Sequence, residues 1–396
     1  MSKKQNIRVA IVGVGNCANS LYQGLTYYAG YTAGQERDGV MKSRIGGYSV
    51  ANIEVVAAFD VDRRKVGKCF REAMNAEPNC TPTYEKNVPD GPIVQMSPIM
   101  DGVPELMSDY PEAEAFRVAD LEPVDVVQVL TDRKVDILIN YLPVGSQKAT
   151  EWYAEKCLEA GVSLLNCIPV FIASNPVWEQ KFIDAGIPLI GDDMKSQFGA
   201  SILSQMLQEL AFARGLNVKA HIQRNVGGNT DFLNMVDQSR LKYKKVSKEN
   251  VIRSQHTIRG VDPDESFLHA GPSEYIRYYK DNKVANFRVE MEGFLGAPVI
   301  LDAQLSVIDS PNSGGVVIDA VRYLKVAREM GIVGALRGPS ASTQKTPPQQ
   351  LMFSETLYEC DALSGRQLTR FTKRQTEEYS AEELYKLCPS HNKKVD

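Results

Sequence analysis

The feature that most constrains this chain is a glycine-rich turn near the N-terminus, between a short apolar run and an amphipathic segment. The run covers residues 7–12, the turn reads GVGNCA, and the amphipathic segment covers 19–28. Gly13, Gly15 and Ala18 fit the pattern G-x-G-x-x-A: the first glycine makes the turn, the second lets the backbone approach a pyrophosphate, and the small third residue lets helix and strand pack closely. This order predicts a Rossmann-type domain that holds a dinucleotide phosphate at the helix N-terminus.

A second apolar run, IEVVAAF, ends at Asp60. An acid at the end of the second strand of such a domain accepts hydrogen bonds from the adenosine ribose and repels a 2′-phosphate, which favours NAD over NADP. Asp60 lies further from Gly15 than the usual ~20 residues. An insertion over residues 29–52 accounts for the difference.

Composition limits the classes of protein that remain. With 396 residues, the chain is long enough for two or three domains, and 43% hydrophobic and 24% charged residues are ordinary for a globular protein. A net charge of −4 provides no basic field for nucleic acid. No run of ~18 apolar residues predicts a membrane span, and the first residues lack the pattern of a signal peptide, so we expect a cytoplasmic protein without nucleic-acid or membrane partners.

The cysteines and histidines do not predict a structural metal site. Seven cysteines, an odd number with no C-x-x-C pair, argue against both a disulfide framework and a thiolate zinc site. The four histidines show no spacing typical of metal ligands.

Regular alternation of strands and helices continues to about residue 215, and β-rich runs follow. The fold class predicted is α/β, a Rossmann-type doubly wound parallel sheet with an inserted β-rich α+β domain. Residues 77–111 hold seven of the twenty prolines, which predicts a long surface excursion. A helix is expected from Gly314 and a polar tail from about 354. The expected strands are 135–141, 162–167, 187–190, 218–223, 284–291 and 298–308, and the expected helices are 148–160, 176–185 and 198–215.

Three polar motifs lie at positions where chemistry is expected. Tyr141 and Pro143 follow a strand, at the edge where a doubly wound sheet binds its ligand. In GDDMKSQFG, two acids precede a helix whose free N–H groups suit a phosphate, although a capping acid with an ion pair is the alternative. The segment NVGGNTDFLNM has polar groups that suit a sugar, and a plain loop is the alternative. The lysines near residue 244 are typical of a solvated helix face by pattern alone.

Taken together, several segments resemble one known family. In order and spacing, the following strings are similar to the compact bacterial branch of the myo-inositol-1-phosphate synthases: GVGNCANSLYQGL, YLPVGS, IPVFIAS, PVW, GDDMKSQFGA, NVGGNTDFLNM, KVSK, DSPNSGGVVIDAVR and KTPPQQL. The resemblance covers residues from about 7 to 351. It implies conversion of D-glucose 6-phosphate to 1D-myo-inositol 3-phosphate, the first step of inositol biosynthesis for lipid or soluble products.

The resemblance also implies a reaction course and an assembly. NAD oxidises C5, the ketone permits enolisation at C6, C6 attacks the C1 aldehyde, and NADH reduces C5 again, so the enzyme is an isomerase. A homotetramer is implied, with residues 1–193 and 311–396 as the NAD-binding domain and 194–310 as the catalytic and tetramerisation domain. The tail from about 352 to 396 lies outside the resemblance.

The matching positions provide the candidate site residues. Lys244 is expected in proton transfer at the C5 hydroxyl, Lys283 and Lys345 in oxyanion stabilisation, and Lys248 at the phosphate. The catalytic set is Lys244, Lys248, Lys283, Lys345, Asp193, Asp231 and Asp309. The cofactor set is Gly13, Val14, Gly15, Asn16, Cys17, Ala18, Asp60, Tyr141, Pro143, Asp192 and Asp309. The substrate set is Ser196, Gln197, Gly199, Asn229, Asp231 and Lys248.

Two other functions and one cofactor question stay open at this point. An ordinary NAD-dependent dehydrogenase of a polyol or semialdehyde would share the two-domain plan but would need no second pair of lysines. A non-catalytic NAD sensor would keep the glycine-rich turn without the lysines and acids. Cation dependence varies in the family; the Asp192 and Asp193 pair could hold a cation, whose identity the sequence does not give.

Overall fold

The computed structural model describes residues 6–30 and 39–369. The strands are β1 (Ile7–Val12), β2 (Ile53–Asp60), β3 (Val94–Met96), β4 (Ile137–Asn140), β5 (Ser163–Asn166), β6 (Pro188–Leu189), β7 (Asn217–Gly227), β8 (Phe267–Tyr275), β9 (Asn282–Glu292), β10 (Pro298–Ile308) and β11 (Gly334–Ala335). The helices are α1 (Asn16–Ala29), α2 (Phe70–Met74), α3 (Val126–Asp132), α4 (Gln147–Ala160), α5 (Pro176–Asp184), α6 (Ala200–Ala213), α7 (Thr230–Asn234), α8 (Gln238–Thr257), α9 (Pro311–Glu329), α10 (Arg337–Thr343) and α11 (Phe353–Ser364).

The first sheet is parallel and has the order β3-β2-β1-β4-β5. A bridge between Leu165 and Ile190 continues this edge toward β6, which pairs with β11. Helices α1 and α9 cover one face, while α3, α4 and α5 cover the other. Because both faces are buried, the strands are nearly continuous apolar runs, and this confirms the predicted doubly wound α/β fold.

The second sheet has the order β10-β9-β7-β8. Strand β9 runs antiparallel to β7 and β10, whereas β8 runs parallel to β7. Helix α6 packs on one face, where Ala211 meets Val218 and Val289. The same interface contains a buried polar group: His221 on β7 bonds to Ser204 and Gln208 of α6, at 2.9 and 3.0 Å.

Two expectations about irregular segments were wrong. Residues 77–111 are not only a surface excursion, because β3 pairs with β2 and buries Val94 and Met96. Three residues are too few to show a strand period in the sequence. The polar tail expected from about 354 begins instead with α11, whose Cys360 and Leu363 enter the main core. The tail beyond 369 lies outside the described residues.

Smaller differences concern element ends. The strand expected at 187–190 is only Pro188–Leu189. Helix α9 begins at Pro311 instead of Gly314, since proline is favourable in a first helical turn. No helix in the described part of the chain is both long and apolar enough to cross a bilayer.

Candidate active site

A large cavity lies where the carboxyl ends of β1, β2 and β4 meet α7, α8 and the start of β9. It brings together residues that are far apart in the sequence, including all four expected lysines. The expected site residues that border it are Gly13, Gly15, Asn16, Cys17, Asp60, Tyr141, Pro143, Asp193, Ser196, Asn229, Asp231, Lys244, Lys248, Lys283, Asp309 and Lys345.

The glycine-rich turn has the geometry that a bound pyrophosphate needs. Gly13 has φ +89°, and a Cβ there would lie 2.6 Å from the carbonyl oxygen of Tyr141. Gly15 has open space where its Cβ would be, with no heavy atom within 4 Å. Helix α1 starts at Asn16 with no side-chain cap and no acid in its first turn, so the positive end of its dipole is not neutralised. The residues present therefore fit a dinucleotide phosphate.

Asp60 holds this turn in place. One carboxylate oxygen accepts the N–H of Val14 at 2.7 Å, and the other accepts those of Val61 and Asp62 at 2.7 and 2.8 Å. A carboxylate has about four lone-pair positions, so the oxygen next to Val14 retains one for a ribose hydroxyl. Asp60 therefore supports the turn as well as bordering the cavity.

Two further residues beside the turn could not be predicted from the sequence, because neither belongs to a recognisable motif. Lys65 is buried and donates to the carbonyl of Val14 at 2.9 Å and to Asn79 at 3.1 Å, and its Nζ lies 4.0 Å from Asp60. The amide of Asn79 donates to the same carbonyl at 3.0 Å. Both border the cavity, and together they fix the carbonyl of Val14.

Asp193 is the centre of the first charged cluster. Lys244 and Lys345 lie 3.1 and 2.8 Å from the same carboxylate oxygen, and Ser247 donates to the other at 2.7 Å. Lys244 and Ser247 lie three residues apart on α8 and so share a face. Asp193 itself adopts a left-handed conformation, φ +62°, which marks a backbone held by its surroundings.

Electrostatics distinguishes the members of this cluster. Burial raises the pKa of Asp193, but Lys244 and Lys345 outweigh burial and hold it well below its ordinary value. Burial lowers the pKa of Lys345 to about 8, against the attraction of Asp193. Burial also lowers the pKa of Lys244, but Asp193 outweighs it and the net direction is upward. Lys244 therefore stays protonated, whereas Lys345 can lose its proton under mildly alkaline conditions.

Lys248 differs from the other three lysines. It lies four residues after Lys244 on α8, is 6% exposed, and makes no ion pair within the described residues. Burial, together with Lys283 and Lys244, lowers its pKa well below the ordinary value. An anion placed beside it would restore its charge.

Lys283 and Asp309 form the second charged cluster. Their Nζ and carboxylate oxygen are 2.7 Å apart. Burial raises the pKa of Asp309, but Lys283 outweighs burial and the net direction is downward. Nearby, burial and Asp309 raise the pKa of the Cys17 thiol to about 12, so this cavity residue is uncharged at neutral pH.

The polar segment before α7 is a capped turn. The side-chain oxygen of Asn229 accepts the N–H groups of Asp231 and Phe232 at 3.1 and 3.3 Å. This cap directs both Asn229 and Asp231 to the cavity.

Five expected residues do not border the cavity. Val14 and Ala18 are fully buried, so they contribute packing and backbone to the turn. Asp192 accepts hydrogen bonds from Asn166 and Ser174, and burial raises its pKa to about 6. The remaining two, Gln197 and Gly199, lie at the start of α6, where the N–H of Gln197 donates to the carbonyl of Asn312.

The carboxylates of Asp192 and Asp193 bind separate partners. Within the described ranges, no group of three or more His, Cys, Asp and Glu side chains has the arrangement of a metal site.

Comparisons with known proteins identify the family of the chain. Residues 199–310 match the family model described as myo-inositol-1-phosphate synthase. The chain is 46% identical to inositol-3-phosphate synthase of Mycolicibacterium smegmatis over 87% of its own length and 94% of the relative. It is 45% identical to the enzyme of the same name from Corynebacterium glutamicum, with the same coverage.

A solved structure supports the fold. A myo-inositol-1-phosphate synthase-related protein from Thermotoga maritima superposes with a TM-score of 0.75 at 24% identity, covering 91% of this chain and 99% of the other. On the identity and coverage of its bacterial relatives, this chain belongs to the myo-inositol-1-phosphate synthase family.

Proposed function

We propose that the chain converts D-glucose 6-phosphate to 1D-myo-inositol 3-phosphate as an NAD-dependent isomerase. The observation that carries this proposal is the arrangement of four lysines around one cavity that also contains the glycine-rich turn: three of them lie in two acid-paired clusters, and the fourth, Lys248, is buried beside them. Family membership supports the same substrate and product. NAD bound at Gly13 to Ala18 would take a hydride from C5 and return it in the last step.

The lysines supply the groups that the middle of the reaction needs. Oxidation at C5 makes the C6 proton removable only if the developing oxyanion is stabilised, and one preorganised donor contributes roughly 3–4 kcal/mol. We assign this task to Lys283 and Lys345. Each is held by a different carboxylate, Lys283 by Asp309 and Lys345 by Asp193.

Proton transfer at the C5 hydroxyl is assigned to Lys244, together with its partners. Because Asp193 keeps Lys244 protonated, Lys244 exchanges a proton only as part of the cluster. Lys345 bonds to the same oxygen and has a pKa of about 8, so it is the member of the cluster that exchanges its proton most readily near neutral pH. Asp231 and Asn229 are assigned to the sugar hydroxyls.

The substrate phosphate is assigned to Lys248 and Ser196. A buried amine without a carboxylate partner gains most from an arriving dianion, since pairing restores the charge that burial disfavours. Glucose without a phosphate would leave Lys248 unpaired and is expected to be a poor substrate.

Incubation with glucose 6-phosphate and a catalytic amount of NAD, followed by NMR, tests the proposal. The expected product is an inositol monophosphate, with no accumulation of NADH because the hydride returns to the ring. Unphosphorylated glucose is the matched control. In a parallel reaction with NAD in excess, NADH formed in proportion to substrate would instead identify an ordinary polyol or semialdehyde dehydrogenase, and NAD binding without product would favour a sensor.

A further inference from the structure

A buried carboxylate outside the expected site connects three of its segments. Asp281 lies just before β9 and is 2% exposed. One of its oxygens accepts the side-chain amide of Asn229 at 3.1 Å and the hydroxyl of Ser310 at 2.7 Å, and the other accepts the N–H of Ser310 at 3.3 Å. Its backbone carbonyl accepts the N–H of Asp309 at 2.8 Å.

Each contact ends on a segment that carries a proposed reacting group. Asn229 begins the capped turn that presents Asp231, and Ser310 directly follows Asp309. Asp281 itself lies two residues before Lys283. One side chain therefore fixes the relative position of the Lys283–Asp309 pair and the turn that carries Asp231.

The chemistry of these contacts favours an ionised carboxylate. Its three side-chain contacts all come from N–H or O–H donors, and only the carboxylate form presents acceptors alone. A proton on either oxygen would take one lone-pair position and add a donor among donors, which weakens these contacts.

We propose that Asp281, in its ionised form, is a positioning residue for the reacting groups, since it holds the turn carrying Asp231 against the Lys283–Asp309 pair. This inference rests on the proposed function. Asp281 does not border the cavity, so it acts through Asn229, Ser310 and Asp309.

The surroundings of Asp281 set the pH at which its charge is lost. Asp309 faces it from the start of α9, Cys17 from α1 and Cys80 from the segment after α2; Lys280 and Lys283 flank it in the chain. Burial, with Asp309 adding to it, raises the pKa of Asp281 to about 6, while the Ser310 hydrogen bond opposes this rise. As pH falls through this value the carboxylate is protonated, and alignment of the site should be lost.

Two variants test the inference through the pH profile of kcat, measured between about pH 5 and 9 with saturating glucose 6-phosphate so that titration of the free substrate phosphate does not enter, and with kcat/KM measured beside it. The wild type should lose activity on the acid side with a midpoint near the pKa of Asp281. Asp281→Asn keeps the shape but cannot titrate, so the acid limb should disappear and the plateau should fall about tenfold or more because the reacting groups are misaligned. Ser310→Ala removes a hydrogen bond that favours the charged form of Asp281. The midpoint of the acid limb should therefore move to higher pH by about half a pH unit or more.

Asp319 provides a matched control, because it is also buried with its pKa raised to about 6 by burial, but it pairs with Arg322 on α9 outside the cavity. Asp319→Asn should leave the acid limb in place even if it lowers the melting temperature.

Calorimetric binding of glucose 6-phosphate and thermal unfolding give readouts independent of turnover. An unmoved limb in Ser310→Ala, or an unmoved limb with near wild-type kcat/KM in Asp281→Asn, would overturn the inference. A wild type that neither binds nor converts glucose 6-phosphate would instead remove the proposed function.

Discussion

Lys283 and Lys248 are both lysines that border one cavity, but their surroundings predict different defects when they are removed. Lys283 is already paired with Asp309 and would meet a developing oxyanion only after hydride transfer. Lys283→Ala should therefore retain measurable binding of NAD and glucose 6-phosphate while losing about 10²-fold or more in rate. Lys248→Ala should weaken substrate binding as well, because its partner is the ground-state phosphate.

Steady-state kinetics beside calorimetric binding for both variants measures this separation. Near wild-type turnover in Lys283→Ala would remove that residue from the catalytic set and strengthen the dehydrogenase alternative.

Asp60 combines two roles that substitution can separate. Its charge would repel the 2′-phosphate of NADP, while its oxygens accept three backbone N–H groups of the turn and the residues after Asp60. Asp60→Asn removes the charge but keeps one acceptor, so the preference for NAD over NADP should fall by about tenfold, and Lys65, 4.0 Å away, can then face a 2′-phosphate. Asp60→Ala should add a loss of affinity for both cofactors. The measurement is fluorescence titration with each dinucleotide, and a preference unchanged in both variants would refute the assignment.

Lys195 gives a pH prediction for stability. It is buried and has no carboxylate partner among the described residues, it donates to the Ala341 carbonyl and to Gln205, and burial lowers its pKa to about 7. Between this value and the unfolded value of about 10.4, the unfolded chain binds more protons, so this group makes folding more favourable as pH rises. Its contribution over that window should be on the order of a few kcal/mol.

Chemical denaturation of wild type and Lys195→Met at several pH values tests this expectation. The difference in unfolding free energy between the two should shift steadily in favour of the wild type from about pH 7 to 10. A difference independent of pH would show that Lys195 titrates as it does in the unfolded chain.

At the scale of elements, the connection between β1 and α1 should be far less tolerant than other left-handed turns. Gly13→Ala places a Cβ 2.6 Å from the Tyr141 carbonyl in addition to the cost of φ +89°. Gly161, which ends α4 with φ +69° and open space around it, is the matched control. Gly161→Ala should cost about 1 kcal/mol, whereas Gly13→Ala should cost about 1–3 kcal/mol more and abolish tight NAD binding.

Thermal unfolding and NAD titration of both variants distinguish these cases. Equal stability losses and unchanged affinity in Gly13→Ala would contradict the tight packing of the turn on Tyr141.

The elements that the sequence predicts well are those with a long or simple period. Strands β1, β2, β9 and β10 are either continuous apolar runs or alternate apolar and polar residues. The structure confirms their predicted bounds within a few residues. Strand β3 and helix α11 were missed, because three residues show no period and α11 buries Cys360 and Leu363 within an otherwise polar segment.

The site residues also differ in how far the sequence predicts them. The glycine-rich turn and Asp60 could be predicted from local physics, whereas the membership of Lys283 and Lys345 depended on the family resemblance. Lys65 and Asp281 could not be found from the sequence, since their importance comes from contacts with Val14 and Ser310 that only the folded chain creates.

At the scale of the whole molecule, the second sheet has an edge and an exposed turn that no other element of residues 6–30 and 39–369 covers. Strand β10 pairs only with β9, so the outer edge of an eleven-residue strand is free within the described structure. Its outward face is mixed, since Ile300 is 53% exposed beside the Arg288–Asp302 ion pair. Phe294 and Leu295, in the turn from β9 to β10, are 88% and 90% exposed. Free edges and apolar tips of this kind are normally covered.

We therefore expect that the chain is not monomeric, with a homotetramer as the predicted state. Replacing Phe294 and Leu295 together by Asp should shift the particle toward smaller species, because charged side chains resist burial at an interface. Val177 is the matched control, because it is 69% exposed on α5, a helix that packs on the first sheet. Val177→Asp should leave the size of the particle unchanged. Size-exclusion chromatography with light scattering at micromolar concentration measures all three proteins. A wild-type particle of the single-chain mass, 43.9 kDa, would refute assembly. An unchanged assembly in the double variant would place the contact on another part of the surface.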